Sequence, residues 1–396
     1  MLLLEKKAYD MLSKITFARE FVRKIKLDNV LENYVKSFIS WLDTLEERTR
    51  NARTSFAEFL RHTNFKEEKP LRNETQQRLL TDILREYEDI EECFYLGVDA
   101  FLPLISIWDY QRREPNIKRQ HRLLVNFVNE LLELSHISEP MMTIIGETYA
   151  CLPLSWGEIM KHVVFGSYTE MENLCKWVLL AHEIGHAYYD MNAEKFSSDL
   201  FPLVIRKLIE VKPVNVKQHE IEAAIYMWTE KWIPELVADC FATKTLGPSF
   251  VTQFMLTVLD SRPQFPVLTH PPSDLRVRFM LNVLISLDLP NVDVNFYRNV
   301  WRSYCHSVSK PSSLYVLHDD IIKTALDGIN FIVQESPVRG KWADVLKAQN
   351  ALAQGEIPNQ DLISIISALS LSEPKIDLRA MYDELLKRHS SDSDTL

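Results

Sequence analysis

The segment His182-Glu183-Ile184-Gly185-His186 carries the residue types and spacing best suited to chemistry in this chain. Residues four apart share one face of a helix, so both imidazoles can reach a single metal ion. Glu183, one position further round, would lie beside a water molecule bound to that ion. The spacing predicts a zinc site with a glutamate placed as general base. A chance match on an exposed helix is the alternative, and the apolar residues on both sides of the segment count against it.

A second helix is predicted to supply the third ligand. Pro234 suits its first turn and Gly247 its end. Glu235 and Asp239 are four apart within an otherwise apolar run, where two buried carboxylates would be costly unless cations or donors neutralise them. Glu235 would complete a two-histidine, one-glutamate ligand set, and Asp239 would accept the spare N–H of a ligand histidine. An acidic pair on a helix surface is the alternative.

Other histidines lack a partner at ligand spacing. His219-Glu220 begins like the first motif, but Ala223 stands where the second histidine is required. His162, on a predicted strand, and His306 are expected to be structural. Helix geometry turns Cys240 about 100° away from Asp239, so we do not expect it to be a ligand.

A third element, the loop 269–272, leads into a helix predicted to begin near Ser273. Together the three elements resemble the gluzincin zinc metallopeptidases, a family that includes the prenyl-protein endopeptidases and the bacterial heat-shock membrane protease. The matching motifs lie within about 175–284, in the family's order: His182-Glu183-x-x-His186, Glu235-x-x-Ala238-Asp239, and His270-Pro271-Pro272 with Arg276.

The resemblance implies a zincin-like α+β catalytic core that hydrolyses peptide bonds. It implies zinc held by His182, His186 and Glu235, with Asp239 and Arg276 behind the ligands and Glu183 as general base. It also implies His270 near the cleft, assisting the oxyanion. Three tyrosines (Tyr188, Tyr189 and Tyr226) are alternatives for that last role.

The rest of the sequence predicts the elements that hold these residues. Apolar residues recur at helical spacing through the first 135 residues, which predicts a helical bundle there. The runs 142–146 and 162–166 read as short strands, and 163–168 is expected to offer a sheet edge to an extended peptide. Thr169 and Glu172 have the spacing of a capping box, which would start the metal helix. We therefore predict a mainly α protein with a small β-sheet.

Three regions follow: an N-terminal helical domain over 1–135, a zinc metallopeptidase core over 136–310 and a C-terminal helical region over 311–396. Loops are predicted at 63–70, 263–272 and 311–313, and a frayed polar tail at 390–394. The N-terminal region has no chemistry of its own, so we expect it to control access to the cleft or to bind a protein partner.

Composition limits the partners and the location. The chain has 45 basic and 55 acidic residues, a net charge of −10, which disfavours nucleic acid. Its five cysteines are widely spaced, which favours reduced thiols and a cytoplasmic protein. The longest uncharged run, 245–259, is shorter than the roughly 20 residues of a membrane helix, so no membrane span is expected. The alternatives to a peptidase are a zinc-stabilised regulatory or interaction protein and a zinc hydrolase of a non-peptide bond.

Overall fold

The computed structural model describes residues 2–23, 29–63, 74–156, 159–259, 269–308, 315–372 and 375–389. Helices dominate and one small mixed sheet is present, so the predicted fold class, mainly α with a small sheet, is confirmed. No helix within these ranges is long and apolar enough to cross a membrane. The predicted loop at 311–313 and the tail at 390–394 lie outside the described residues, as do most of the loops at 63–70 and 263–272.

The helices before the sheet are α1 (Leu2–Arg23), α2 (Asn29–Thr63), α3 (Glu74–Arg113) and α4 (Pro115–Leu134). Those after it are α5 (Leu180–Met191), α6 (Ala193–Lys195), α7 (Phe201–Val211), α8 (Gln218–Tyr226), α9 (Ile233–Leu246), α10 (Pro248–Thr257), α11 (Ser273–Leu287), α12 (Val294–Val308), α13 (Asp319–Ile332), α14 (Val338–Gln354), α15 (Leu362–Ser370) and α16 (Leu378–Arg388). The 3₁₀ segments are Tyr168–Glu170, Leu174–Leu179 and Tyr315–Leu317, and the π-helical segments are Phe196–Leu200 and Met227–Trp232.

The sheet consists of β1 (Met142–Gly146), β2 (Ala150–Trp156) and β3 (Ile159–Ser167) in the order β1-β3-β2. Two residues join β2 to β3, so these strands form an antiparallel hairpin. The apolar runs of the sequence predict β1 and β3 but not β2, whose exposed Leu152 and Pro153 break the apolar alternation. The edge role predicted for 163–168 is wrong, because β3 has a neighbour on each side. The edges are β1 and β2.

The chain divides into two compact units, and the division runs through β2 and β3. The first unit contains α1, α2, α3 and residues 152–163. Its core includes Phe38, whose ring centroid lies 4.5 Å from that of Phe101 and 5.4 Å from that of Trp41. The Tyr34 hydroxyl donates to the backbone carbonyl of His162, so that residue is built into this core.

The second unit contains α4, β1 and α5 to α16. α5 packs along α9, and α11 and α10 pack on α9 as well. α9 is almost entirely buried from Ile233 to Leu246, which matches its apolar sequence. This buried helix pair forms the framework of the candidate site.

The predicted start of the metal helix is wrong. Thr169 lies inside a short 3₁₀ turn, a second 3₁₀ segment (Leu174–Leu179) follows, and α5 begins only at Leu180 without a side-chain cap. Burial of Leu174, Trp177 and Val178 holds this entry in place, so local capping chemistry was not needed.

Candidate metal centre

The two helices approach each other through Gly185 on α5. A Cβ atom on this glycine would lie 2.6 Å from Cα and 3.0 Å from the carbonyl oxygen of Ala238 on α9. Only a residue without a side chain allows this approach, which explains a glycine in a helix interior. The contact places the histidines of α5 opposite the carboxylates of α9.

α9 begins and ends where the sequence predicts. Pro234 occupies the first turn, and Gly247 ends the helix with a φ of 61°. A π-helical segment, Met227–Trp232, leads into it and buries Trp228 and Trp232. Glu235 and Asp239 therefore sit on a rigid, buried element.

Three side chains converge between the helices. Nε2 of His182 lies 3.5 Å from Oε2 of Glu235, and Nε2 of His186 lies 3.6 Å from Oε1 of the same residue. The ligand atoms of the three residues all lie within 4.8 Å of one another. Among the described residues, these three side chains form the group of histidine, cysteine or acidic residues close enough together to hold a metal ion.

Asp239 and Arg276 lie behind this group. Nδ1 of His182 lies 3.0 Å from Oδ1 of Asp239, so one ring nitrogen faces Asp239 while the other faces Glu235. Arg276 on α11 donates to both carboxylate oxygens of Asp239, from Nε at 2.7 Å and from Nη2 at 2.8 Å. Nη2 also lies 3.1 Å from Oε2 of Glu235. Both partners of the bidentate pair are buried.

These charges control one another's protonation. Burial alone would raise the pKa of Asp239 and of Glu235, but Arg276 and His182 hold both below their usual range. Burial opposes a charge on His182, yet Asp239 and Glu235 raise its pKa to about 9. Burial and the neighbouring His182 lower the pKa of His186 to about 4. The chain therefore stabilises two carboxylates and one positive imidazole in a largely buried cluster.

Glu183 lies near the start of β2. Burial raises the pKa of its carboxyl, and the nearby backbone N–H of Cys151 offsets part of that rise. This proximity could not be predicted from the sequence, because β2 itself was not predicted. The start of β2 thus lies near the residue predicted to be the general base.

His270 lies at the same group. Its half-exposed ring places Nε2 3.5 Å from Oε1 of Glu235, and Nδ1 pairs with the Thr269 hydroxyl at 2.7 Å. The tyrosines make contacts elsewhere. Tyr188 packs on Phe241, Tyr189 packs on Phe196, and Tyr226 lies under the ammonium of Lys231. Of the candidates for the oxyanion, the structure therefore brings His270 to the ligand group.

Two phenylalanines of α10 support the site and were missed in the sequence. The ring of Phe250 stacks against that of His182, with centroids 6.2 Å apart and planes 10° apart. Phe254 lies under the guanidinium of Arg276, 4.6 Å from its ring centroid. Their spacing of four residues was a usable signal only once α10 was known to pack on α9.

The donor set fits zinc. Two imidazole nitrogens and one carboxylate oxygen are the protein ligands of many catalytic zinc sites, in which a water or substrate takes the fourth position. Oε2 of Glu235 is buried and accepts no hydrogen bond from the described residues, and its close neighbours are Arg276 and His182. A buried carboxylate oxygen of this kind is suited to a cation.

Comparisons with protein-family models, with curated proteins and with solved structures find no match for this chain. The functional argument therefore rests on the geometry of the site and on the three motifs.

Proposed function

We propose that the chain is a zinc-dependent endopeptidase. The observation that carries the proposal is the convergence of His182, His186 and Glu235, with Glu183 one helix position from the first ligand. A purely structural zinc site normally has four protein ligands and needs no free carboxylate beside them. A set of three ligands with a neighbouring glutamate supports hydrolysis.

His182, His186 and Glu235 would hold the ion. Bound zinc would supply Lewis acidity, which polarises the scissile carbonyl and lowers the pKa of a water molecule. Asp239 fixes the ring of His182 by facing its Nδ1, and Arg276 fixes Asp239 through two hydrogen bonds. The ligands are thereby oriented before substrate arrives.

Glu183 is the proton carrier in this proposal. Its carboxylate takes the proton of the attacking water and delivers it to the leaving amide nitrogen. The Cys151 N–H lies near this carboxylate and favours its charged form. His270, whose Nε2 lies 3.5 Å from Oε1 of Glu235, would donate from that nitrogen to the oxyanion that forms on the scissile carbonyl.

An extended peptide is the substrate that we propose. The backbone of Cys151, at the start of β2, lies near the carboxyl of Glu183. Main-chain pairing with a strand is a common mode of peptide recognition. We also infer a reducing, cytoplasmic setting, because the five cysteines are an odd number, widely spaced in the sequence, with no Cys-x-x-Cys pair.

Metal analysis and a peptide library test the proposal. We expect about one zinc per chain in the purified protein. Glu183→Gln should retain the zinc and lower cleavage by about 100-fold or more. Glu222→Gln, an exposed glutamate on α8, is the matched control and should leave both unchanged. A protein without stoichiometric zinc, or full cleavage by the Glu183 variant, would contradict the proposal.

If the protein binds zinc but cleaves no peptide, one of the two alternative functions replaces the peptidase assignment. A panel of small esters and amides then separates a hydrolase of non-peptide bonds from a regulatory protein. A hydrolase of non-peptide bonds turns over some of the small substrates, and Glu183→Gln lowers that turnover. If the chain is a regulatory protein, neither the parent nor the Glu183→Gln variant turns them over.

A further inference from the structure

Helix α10 packs beside the ligand group in a fixed position. It follows α9 directly through Gly247, whose φ of 61° is readily adopted only by glycine. In its first turn the Ser249 hydroxyl donates to the backbone carbonyl of Ser367 on α15, at 3.1 Å, and both serines are buried. α10 is therefore tied at its start both to the ligand helix α9 and to a second buried helix.

The two phenylalanines of α10 complete a closed cycle of contacts that includes the ligand His182. Phe250 lies against the ring of His182, and Phe254, one turn later, lies against Phe250 with centroids 5.7 Å apart. Phe254 also lies under the guanidinium of Arg276. Arg276 binds Asp239, and Asp239 faces His182 again. Each of these side chains restrains the next, and His182 is the candidate metal ligand among them.

Phe250 restrains the plane of the His182 ring. The last side-chain torsion of a histidine is broad, so the neighbours of the ring must hold its plane. Asp239 and Glu235 face the two ring nitrogens, whereas Phe250 lies along the ring face, with the planes 10° apart and the centroids 6.2 Å apart. This offset parallel arrangement is one that aromatic rings prefer. Phe250 is fully buried, so rotation of the imidazole out of this plane would press on a ring with little room to move.

Phe254 acts on the same ligand from the other side of the cycle. The guanidinium of Arg276 is buried, and its central carbon lies 4.6 Å from the centroid of the Phe254 ring. A cation over an aromatic face is attracted to it, and the attraction is larger when the pair is removed from water. The ring therefore supports the guanidinium in the plane from which it donates to both oxygens of Asp239.

We propose that Phe250 and Phe254 are positioning residues for the zinc site. Phe250 holds His182 by direct contact, and Phe254 holds it through Arg276 and Asp239. A phenylalanine cannot bind a metal ion, so replacing either one should weaken zinc binding without removing a ligand. The inference rests on the proposed zinc site, but not on which bond the protein hydrolyses.

Zinc titration of the full chain against a competing chelator tests the proposal. Phe250→Leu keeps an apolar side chain but removes the flat ring, so the Kd for zinc should rise about fivefold, the worth of one aromatic pair. Phe254→Leu should raise the Kd about threefold, because its effect passes through two further side chains. Phe127→Leu is the matched control. Phe127 is fully buried, but its ring packs on Trp177. That variant should lower the Tm in EDTA as Phe250→Leu does and leave the Kd for zinc unchanged.

Cobalt(II) in place of zinc gives a second readout. The visible absorption of the bound cobalt depends on the arrangement of its ligands. The spectrum should change in Phe250→Leu and Phe254→Leu and should match that of the parent in Phe127→Leu. A side chain that only stabilises the fold would lower the Tm and leave the spectrum unchanged.

The parent chain separates failure of this inference from failure of the zinc site. If the parent binds about one zinc per chain, an unchanged Kd in both α10 variants overturns the positioning role alone, and so does an unchanged cobalt spectrum in both. An equal loss of zinc affinity in Phe127→Leu overturns it as well. A parent without stoichiometric zinc overturns the zinc site and the positioning role together. Calorimetric unfolding in EDTA establishes that each variant is folded, and Phe250→Met, with the same expected rise in Kd, replaces Phe250→Leu if the latter does not fold.

Discussion

Replacing Gly185 with alanine tests the close contact on which the ligand group depends. In an ordinary helix the change stabilises by about 1 kcal/mol, because alanine has the higher helix propensity. Here the new methyl would lie 2.6 Å from the backbone of Ala238, and no rotamer change can relieve a contact with backbone. Overpacking costs about 1–3 kcal/mol, and a clash with backbone belongs at the upper end. We expect a net loss of about 2 kcal/mol.

Calorimetric unfolding in EDTA measures this effect without metal. A loss of about 2 kcal/mol should lower the Tm of the affected unit by roughly 4–8 °C. Gly340→Ala is the matched control, since a Cβ atom there meets nothing within 4 Å. That variant should gain about 0.5–1 kcal/mol and raise its Tm by roughly 1–4 °C.

Zinc binding gives a second readout of the same variant. Moving α5 from α9 separates His182 and His186 from Glu235, so zinc affinity should fall by about tenfold or more. The reasoning is refuted if Gly185→Ala raises the Tm as Gly340→Ala does. It is also refuted if the variant binds zinc as tightly as the parent chain while its Tm is unchanged.

Two further predictions concern buried charges. Asp239→Asn leaves Arg276 buried without its carboxylate partner, so the free energy of unfolding should fall by about 3–5 kcal/mol. The double variant with Arg276→Gln should lose less than the sum of the two single variants. Additive losses in calorimetry would argue against a coupled pair. Burial raises the pKa of Glu130 to about 7, although the Ile363 N–H donates to it. The neutral Glu130 carboxyl therefore contributes fully to stability below pH 4.5, and this contribution is lost as the pH rises to 7. Glu130→Gln should raise the free energy of unfolding above that of the parent by up to about 3 kcal/mol at pH 8 and by little at pH 4.5. A gain equal at both pH values, or matched by the exposed Glu133→Gln, would contradict this.

The ends of the ligand helix could be predicted from the sequence more readily than the strands and their pairing. The start and stop signals Pro234 and Gly247 located α9 in the sequence. β2 was missed because Pro153 and the exposed Leu152 obscure its pattern, and a strand's neighbours are set by pairing that no local signal records. The proximity of Cys151 to Glu183 was missed for the same reason.

The charge balance of the candidate site explains why a cation belongs there. Asp239, Glu235 and Glu183 are three carboxylates around one guanidinium, that of Arg276. Arg276 takes both oxygens of Asp239, which leaves Glu235 with an oxygen that accepts no hydrogen bond from the described residues. In the chain alone Asp239 and Glu235 raise the pKa of His182 to about 9, so they favour a proton on this ring, which would offset part of the charge. A divalent ion held by His182 would take the place of that proton, and Oδ1 of Asp239, 3.0 Å away, would still face Nδ1 of the ring. Asp239 therefore stabilises the same ring in the protonated and in the metal-bound state.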